Sequence, residues 1–267
     1  MKNKFEYSGK KIEDFSEAMD LFGWVIYENV LTPEFVDEVN ESLKGAYQIR
    51  RAIQIENGIG ENTDGTLHHL IDRDNFALEF LSRGYFSEEI ERFFNGKYIL
   101  NAFGAVINSK NIQQYVQKIH RDVRSFTGDM KMMIQMLVVL DDFTEENGAT
   151  YFLSGSHKRD DRPDPNYFYN HAVRAIVKRG SIILFDSNLW HAAGTNTTDK
   201  IRRALTIGFT PPYIKQQFDY PRSLGYEYGE SLSDALRQII GYNARVPATL
   251  YEYYQPPHKR MYRPGQG

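Results

Sequence analysis

The chain has 267 residues, with hydrophobic residues at 41%, charged residues at 25% and a net charge of −3. This is the composition of an ordinary globular protein with enough length for a large core, and its charge argues against a general polyanion binder such as a nucleic-acid protein. Cysteine is absent, which excludes disulfides, thiolate nucleophiles, iron–sulfur clusters and Cys-ligated zinc, so any metal chemistry must rely on His, Asp and Glu.

The segment Met1 to Lys11 is polar and has no apolar signal-peptide core, and no apolar run approaches the roughly 20 residues of a membrane span. A soluble, cytoplasmic protein is expected, with neither membrane nor nucleic acid as partner. No internal repeat is visible. Ile12, Phe15, Met19 and Phe22 fall at helical spacing, with Gly23 as the stop. Trp24 to Val30 reads as a short strand. Thr32 and Pro33 open a second helix as N-cap and first helical residue, with Phe35, Val36, Val39 and Leu43 as its apolar stripe. Residues 54–66, rich in Gly, Asn, Asp and Thr, read as a loop: a lid over a site or a plain surface connection.

From residue 98 onward, short β-rich segments alternate with turn clusters, the texture of a sandwich or barrel. The strand candidates include YVQKIHRDV around His120, SIILF at 181–185 and IRRALTIGFT at 201–210. The Tyr- and Pro-rich end of the chain carries one helix near Leu232 to Ile240, stopped by Gly241, and is expected to wrap the barrel and help close one mouth.

Three signals point to a metal. In a strand, His120 and Asp122 of His120-Arg121-Asp122 would face the same side. A second imidazole, His191, follows the apolar strand Ser181 to Phe185. Two His and one carboxylate are the facial triad of mononuclear iron(II) oxygenases, which leaves positions open for a keto acid and O2. After a turn at Ala192 to Lys200, the next strand has two unlike faces. Arg203, Leu205, Ile207 and Phe209 are bulky, whereas Arg202, Ala204, Thr206 and Gly208 are small apart from the arginine. A lumen that holds a cosubstrate needs small side chains, and a buried guanidinium needs a carboxylate. Arg202 is therefore assigned to the distal carboxylate of 2-oxoglutarate.

With these residues in order, the stretch at 136–159 (MLVVLDDFTEENGATYFLSGSHKR) resembles the phytanoyl-CoA dioxygenase family, which includes ectoine hydroxylase. The resemblance rests on His120/Asp122, Asn147-Gly148, Gly155-Ser156-His157, and His191 followed by Arg202, and covers roughly residues 20–212. It implies a mainly β fold with flanking helices, built on a double-stranded β-helix (jelly-roll) core. It also implies a single domain over 1–267: N-terminal helices in 1–50, the core at about 98–212 and a C-terminal wrap at 213–267. It further implies iron(II), 2-oxoglutarate and O2, with hydroxylation of an unactivated C–H bond and succinate and CO2 as co-products. Gln135 takes the place of a polar contact to 2-oxoglutarate, with Asn108 and Thr150 as further candidates. The Gly155-Ser156-His157 turn is structural. Ile119 stands where relatives often carry Trp. Because Asp122 keeps its carboxylate, no ligand position is freed for halide, and hydroxylation is favoured over halogenation.

Lys118 and Arg124 share strand parity with the triad and, if the strand extends so far, flank the iron with two cations. An anionic small-molecule substrate is one reading; a solvated basic edge is the other. Trp190 reads as a core residue beside His191. Two alternatives stay open: a jelly-roll metalloenzyme that does not use 2-oxoglutarate, and an inactive binding protein on the same fold. A kinase is rejected because Thr127 stands where its catalytic loop needs Asn, and Thr144 follows Asp142-Phe143 where Gly is required.

Overall fold

The computed structural model describes residues 2–110, 112 and 114–266. The strands are β1 (Lys4–Glu6), β2 (Trp24–Glu28), β3 (Thr66–Leu67), β4 (Ile99–Asn108), β5 (Ile134–Val139), β6 (Tyr151–Phe152), β7 (Val173–Arg174), β8 (Ile182–Asp186), β9 (His191–Ala192) and β10 (Arg202–Thr210). Seven form the major sheet, in the order β1-β2-β8-β5-β10-β4-β3, and three form a minor sheet, β7-β6-β9. The fold is a double-stranded β-helix with flanking helices.

Period-2 alternation divides the major sheet between two cores. The outer face sends Val25, Tyr27, Met136, Val138, Leu205 and Ile207 against the helices. The inner face sends Trp24, Leu137, Val139, Phe185 and Ala204 toward the minor sheet, where Trp24 stacks on Phe152 at 4.8 Å. Burial of these apolar faces is the main stabilising contribution, roughly 25 cal/mol per Å² removed from water.

Several helices back the outer face, the first two being those read from the sequence. Helix α1 (Ile12–Leu21) buries Phe15, Ala18 and Met19 and gives way at Phe22 and Gly23, as the spacing predicts. Helix α2 (Pro33–Glu56) starts at the expected Thr32 cap, whose side chain accepts from the Phe35 N–H at 3.3 Å. It outlasts its apolar stripe: Ile49, Ile53 and Ile55 are exposed. The expected loop at 54–66 is therefore corrected. Residues 54–56 are the end of α2, Gly60–Thr63 is a helical turn, and Thr66 begins β3. The Asn and Gly residues that suggested a loop cap and reverse α2, and Arg51 ties the segment down through the Gly60 carbonyl at 2.7 Å.

The expected strand around His120 is also corrected. Tyr115–Gln117 is a 3₁₀ turn, and His120 forms only an isolated bridge to His191. The segment is held from outside, by the Asp122 and Val123 N–H groups on the Ser187 carbonyl and by the Thr127 N–H on Asn188.

The C-terminal region packs against β4. Tyr220 is buried, its hydroxyl accepting from the Phe103 N–H at 3.0 Å. Ser233 caps the helix Asp234–Ile240, and Gly241 ends it at φ +97°, a left-handed conformation that glycine adopts at little cost. No helix among the described residues is long and apolar enough to cross a membrane.

Candidate active site

A cavity of about 1350 Å³ opens between the sheets, larger than the roughly 300–1,000 Å³ usual for one small ligand. Its walls bring together His120, Asp122, His191 and Arg202. The inner face of β10 supplies Thr206 and Gly208 beside Arg202, so small residues leave room where bulky ones would fill the lumen. Leu205, Ile207 and Phe209 lie in the outer core, as the alternation predicts.

His120, Asp122 and His191 converge although no regular strand carries the first two. Their ligand atoms all lie within 4.8 Å of one another. His120 Nε2 is 3.6 Å from Asp122 Oδ1, and His191 Nε2 is 3.8 Å from Asp122 Oδ2. Each imidazole is oriented from behind: the Nδ1–H of His120 donates to the Lys118 carbonyl at 2.7 Å and that of His191 to the Leu189 carbonyl at 2.9 Å. A carbonyl can only accept, so both Nε2 lone pairs face the site, the arrangement that supports metal-bound histidines. Ligands at right angles on bonds of about 2.1 Å would sit about 3 Å apart, so the triad fits a metal after a small contraction.

The three groups shift one another's protonation. Burial pushes His191 down to about 4, reinforced by the neighbouring His120 and only partly offset by Asp122. Burial would also lower His120, but the hydrogen bond and charge of Asp122 outweigh it and leave His120 raised. For Asp122 burial acts upward, and the two imidazoles together with the Gln135 amide hold it below the usual carboxylate range.

Arg202 and Arg203 divide as the two faces of β10 require. Arg203 turns outward and chelates Asp141, with Nε and Nη2 each at 2.8 Å and the Arg203 backbone N–H at 2.7 Å from the same carboxylate. Arg202 turns inward and is 2% exposed; its guanidinium lies 4.3 Å from the centre of the Phe143 ring. Its Nε and Nη2 have no hydrogen-bond partner among the described residues. Burial lowers its pKa to about 10, with Asp141 opposing, so it is still charged at neutral pH. The planar fork of a buried guanidinium on a cavity wall matches the geometry of a carboxylate.

The other expected residues fall into place unequally. Gln135 and Thr150 line the cavity. Asn108 does not; its Nδ2 donates to the Gly194 carbonyl at 3.0 Å, in the loop between His191 and Arg202. That loop passes so close to Gly148 (φ +83°) that a Cβ there would lie 2.3 Å from the Gly194 oxygen, hence glycine. Ser156 accepts from the Trp190 N–H at 2.9 Å and His157 is buried against Gly23, a structural turn away from the cavity. Lys118 and Arg124 line the cavity where it meets solvent, although not by strand parity.

Trp190, expected in the core beside His191, stands instead in the cavity wall, only half-buried, with the Arg121 guanidinium 4.4 Å from its ring centre. Arg121 also lies 5.1 Å from the Phe126 ring and donates to the Arg159 carbonyl. Tyr115, Phe126 and Arg162 complete this side.

The sequence model of phytanoyl-CoA dioxygenase (PhyH) matches residues 19–204. The chain belongs to the phytanoyl-CoA dioxygenase family. Among curated relatives, the uncharacterized protein Rv1501 of Mycobacterium tuberculosis is 31% identical over 267 residues, covering 96% of each chain. Two solved structures share the fold. EctD from S. alaskensis with 2-oxoglutarate and 5-hydroxyectoine has a TM-score of 0.61 at 16% identity, covering 75% of this chain and 76% of that one. The epimerase SnoN in complex with Fe3+, alpha ketoglutarate and nogalamycin RO has a TM-score of 0.55 at 16% identity, covering 74% and 83%. The matched stretch includes His120, Asp122, His191 and Arg202.

Proposed function

We propose that the protein is an iron(II)- and 2-oxoglutarate-dependent dioxygenase (EC 1.14.11.-) that hydroxylates an unactivated C–H bond of a small molecule. The balance is substrate R–H, 2-oxoglutarate and O2 going to R–OH, succinate and CO2. The observation that carries this reading is the presence, in one cavity, of a two-His-one-carboxylate triad and a buried arginine that pairs with no carboxylate among the described residues. Family membership and the iron and keto acid bound by SnoN support it.

His120, Asp122 and His191 would hold the iron on one face and leave the opposite face to the keto acid and O2. Bound iron and 2-oxoglutarate supply the oxidising power with O2, and the protein's part is to position and shield them. Arg202 would receive the distal carboxylate of 2-oxoglutarate as a bidentate partner. Gln135, next to Asp122, orients that carboxylate and offers an amide to the keto acid; Thr150 offers a hydroxyl. Asn108 acts one step back, by holding Gly194. The inner core around Trp24, Phe152 and Phe185 keeps bulk water out from behind His191, on whose ring Phe185 packs at 4.9 Å.

The test is succinate release from 2-oxoglutarate by iron-loaded protein in air. Slow turnover without added substrate is expected, abolished in His191→Ala and in Arg202→Ala. Iron binding without any dependence on 2-oxoglutarate would favour a jelly-roll metalloenzyme of another kind. Failure to bind iron would favour a binding protein on this fold.

A further inference from the structure

Charge around the cavity is not distributed as in the chain as a whole. Acids outnumber bases in the sequence, 35 to 32. Yet the exposed residues that line the cavity include Lys118, Arg124 and Arg162, against Asp160 as the one exposed acid among the described residues. Asp160 faces Arg121, 3.6 Å from its Nη1. The three exposed cations take part in no ion pair among the described residues. Arg162 reaches only the Ile119 carbonyl, at 3.4 Å, which leaves most of its fork free.

The same rim is apolar between its charges. Tyr115, Ile119, Phe126 and Trp190 stand in the lining with the cations. Arg121 fixes the neighbouring loop by donating to the Arg159 carbonyl, so Arg162 is carried on an anchored segment. Unpaired cations on a concave, partly apolar wall concentrate potential and select ligands of opposite charge. The triad acid is no competitor, since Asp122 is turned between His120 and His191. Arg202 is separate from this group: it is buried at the start of β10, whereas the three cations are exposed.

We infer that the organic substrate carries an oxyanion, a carboxylate or a phosphate monoester, received at the rim by Lys118, Arg124 and Arg162, with an apolar body lying along Tyr115 and Phe126 toward the triad. The fate of that body rests on the oxygenase reading, but the anion site does not need iron in order to bind.

The experiment compares three probes of like body, 4-phenylbutyrate, 4-phenylbutyl phosphate and 4-phenylbutan-1-ol, by anaerobic calorimetry on the full chain. Each is titrated with and without iron(II) and 2-oxoglutarate. At least one acid is expected to bind about tenfold or more tighter than the alcohol, and to weaken as salt is raised. Which acid binds better distinguishes phosphate from carboxylate. Lys118→Ala, Arg124→Ala and Arg162→Ala should each weaken the acids by about three- to tenfold, and the triple variant should bring acids and alcohol level. Because Arg202 is a different group, 2-oxoglutarate affinity in the triple variant should stay within about twofold of wild type. Equal binding of alcohol and acids, no binding of either acid, or wild-type binding by the triple variant overturns the inference. Acid binding that persists in a protein unable to bind iron or 2-oxoglutarate would keep the rim site and sink the oxygenase reading instead.

Discussion

The Arg121 guanidinium lies 4.4 Å from the centre of the Trp190 indole, and each residue adjoins a member of the triad: Arg121 sits between His120 and Asp122, and Trp190 precedes His191. The two segments also exchange backbone hydrogen bonds, His120 N–H to the His191 carbonyl and the reverse, both 3.0 Å. Because no regular strand supports His120, this stack is a side-chain clamp on the spacing of the three ligand atoms. A cation over an indole face contributes about 0.5–2 kcal/mol.

Loosening the clamp should therefore register first in metal affinity. Arg121→Ala and Trp190→Ala are expected to weaken iron(II) binding by about 10- to 100-fold, the usual cost of losing an outer support of a metal site. Trp190→Phe, which keeps an aromatic face, should recover most of the loss. Anaerobic iron titration beside melting of the metal-free protein separates this from general destabilisation. Wild-type affinity in both alanine variants would show that the backbone bridge suffices.

The adjacent arginines of β10 should behave oppositely. Arg202→Ala is expected to raise the Kd for 2-oxoglutarate by about 100-fold, in line with loss of a charge-assisted bidentate pair, with little loss of stability because its Nε and Nη2 have no hydrogen-bond partner among the described residues. Arg203→Ala should leave 2-oxoglutarate binding intact and cost about 1–2 kcal/mol of stability through the broken chelation of Asp141. Calorimetry with 2-oxoglutarate and urea denaturation check the two halves.

Asn196 governs the turn between His191 and Arg202. It is buried, its Nδ2 donates to the Asn108 and Lys200 carbonyls at 3.0 and 2.8 Å, and its Oδ1 accepts from the Thr198 N–H at 2.9 Å. Asn196→Ala would leave buried carbonyls unpaired and is expected to cost about 2–3 kcal/mol, measured as a shift in the urea midpoint. A neutral outcome would mean that water replaces the amide.

Gly208 sits beneath Gln135. A Cβ there would lie 3.3 Å from the Gln135 amide atoms and 3.4 Å from the Met133 sulfur, side chains that can give slightly. Gly208→Ala should fold, whereas Gly208→Val should push Gln135 off Asp122 and weaken 2-oxoglutarate binding by about tenfold or more. Unchanged affinity in the valine variant would remove Gln135 from the site.

Much of this site was legible because strand alternation is a strict period. The split between Arg202 and Arg203 follows from the small and bulky faces of β10 alone. The pairing of His120 with Asp122 is reached for the wrong reason: parity assumes a strand, and the segment is irregular and held by Ser187 and Asn188 from another part of the chain. The stack of Arg121 on Trp190 and the place of Arg162 at the rim depend on long-range packing that leaves no periodic trace. Asn196 had a weak local signal, since an Asn-Thr-Thr-Asp run favours side-chain-to-backbone turns. The loop expected at 54–66 failed because Asn57 and Gly58 cap a helix whose last turns are not amphipathic.

The most direct test of the central claim is a visible difference spectrum of the protein with iron(II) and 2-oxoglutarate in the absence of oxygen. A keto acid that chelates iron(II) in the open face of the triad gives a weak charge-transfer band. That band is expected in the wild-type protein and is lost in His120→Ala, His191→Ala and Arg202→Ala. Iron binding with no band on saturation with 2-oxoglutarate would contradict the claim.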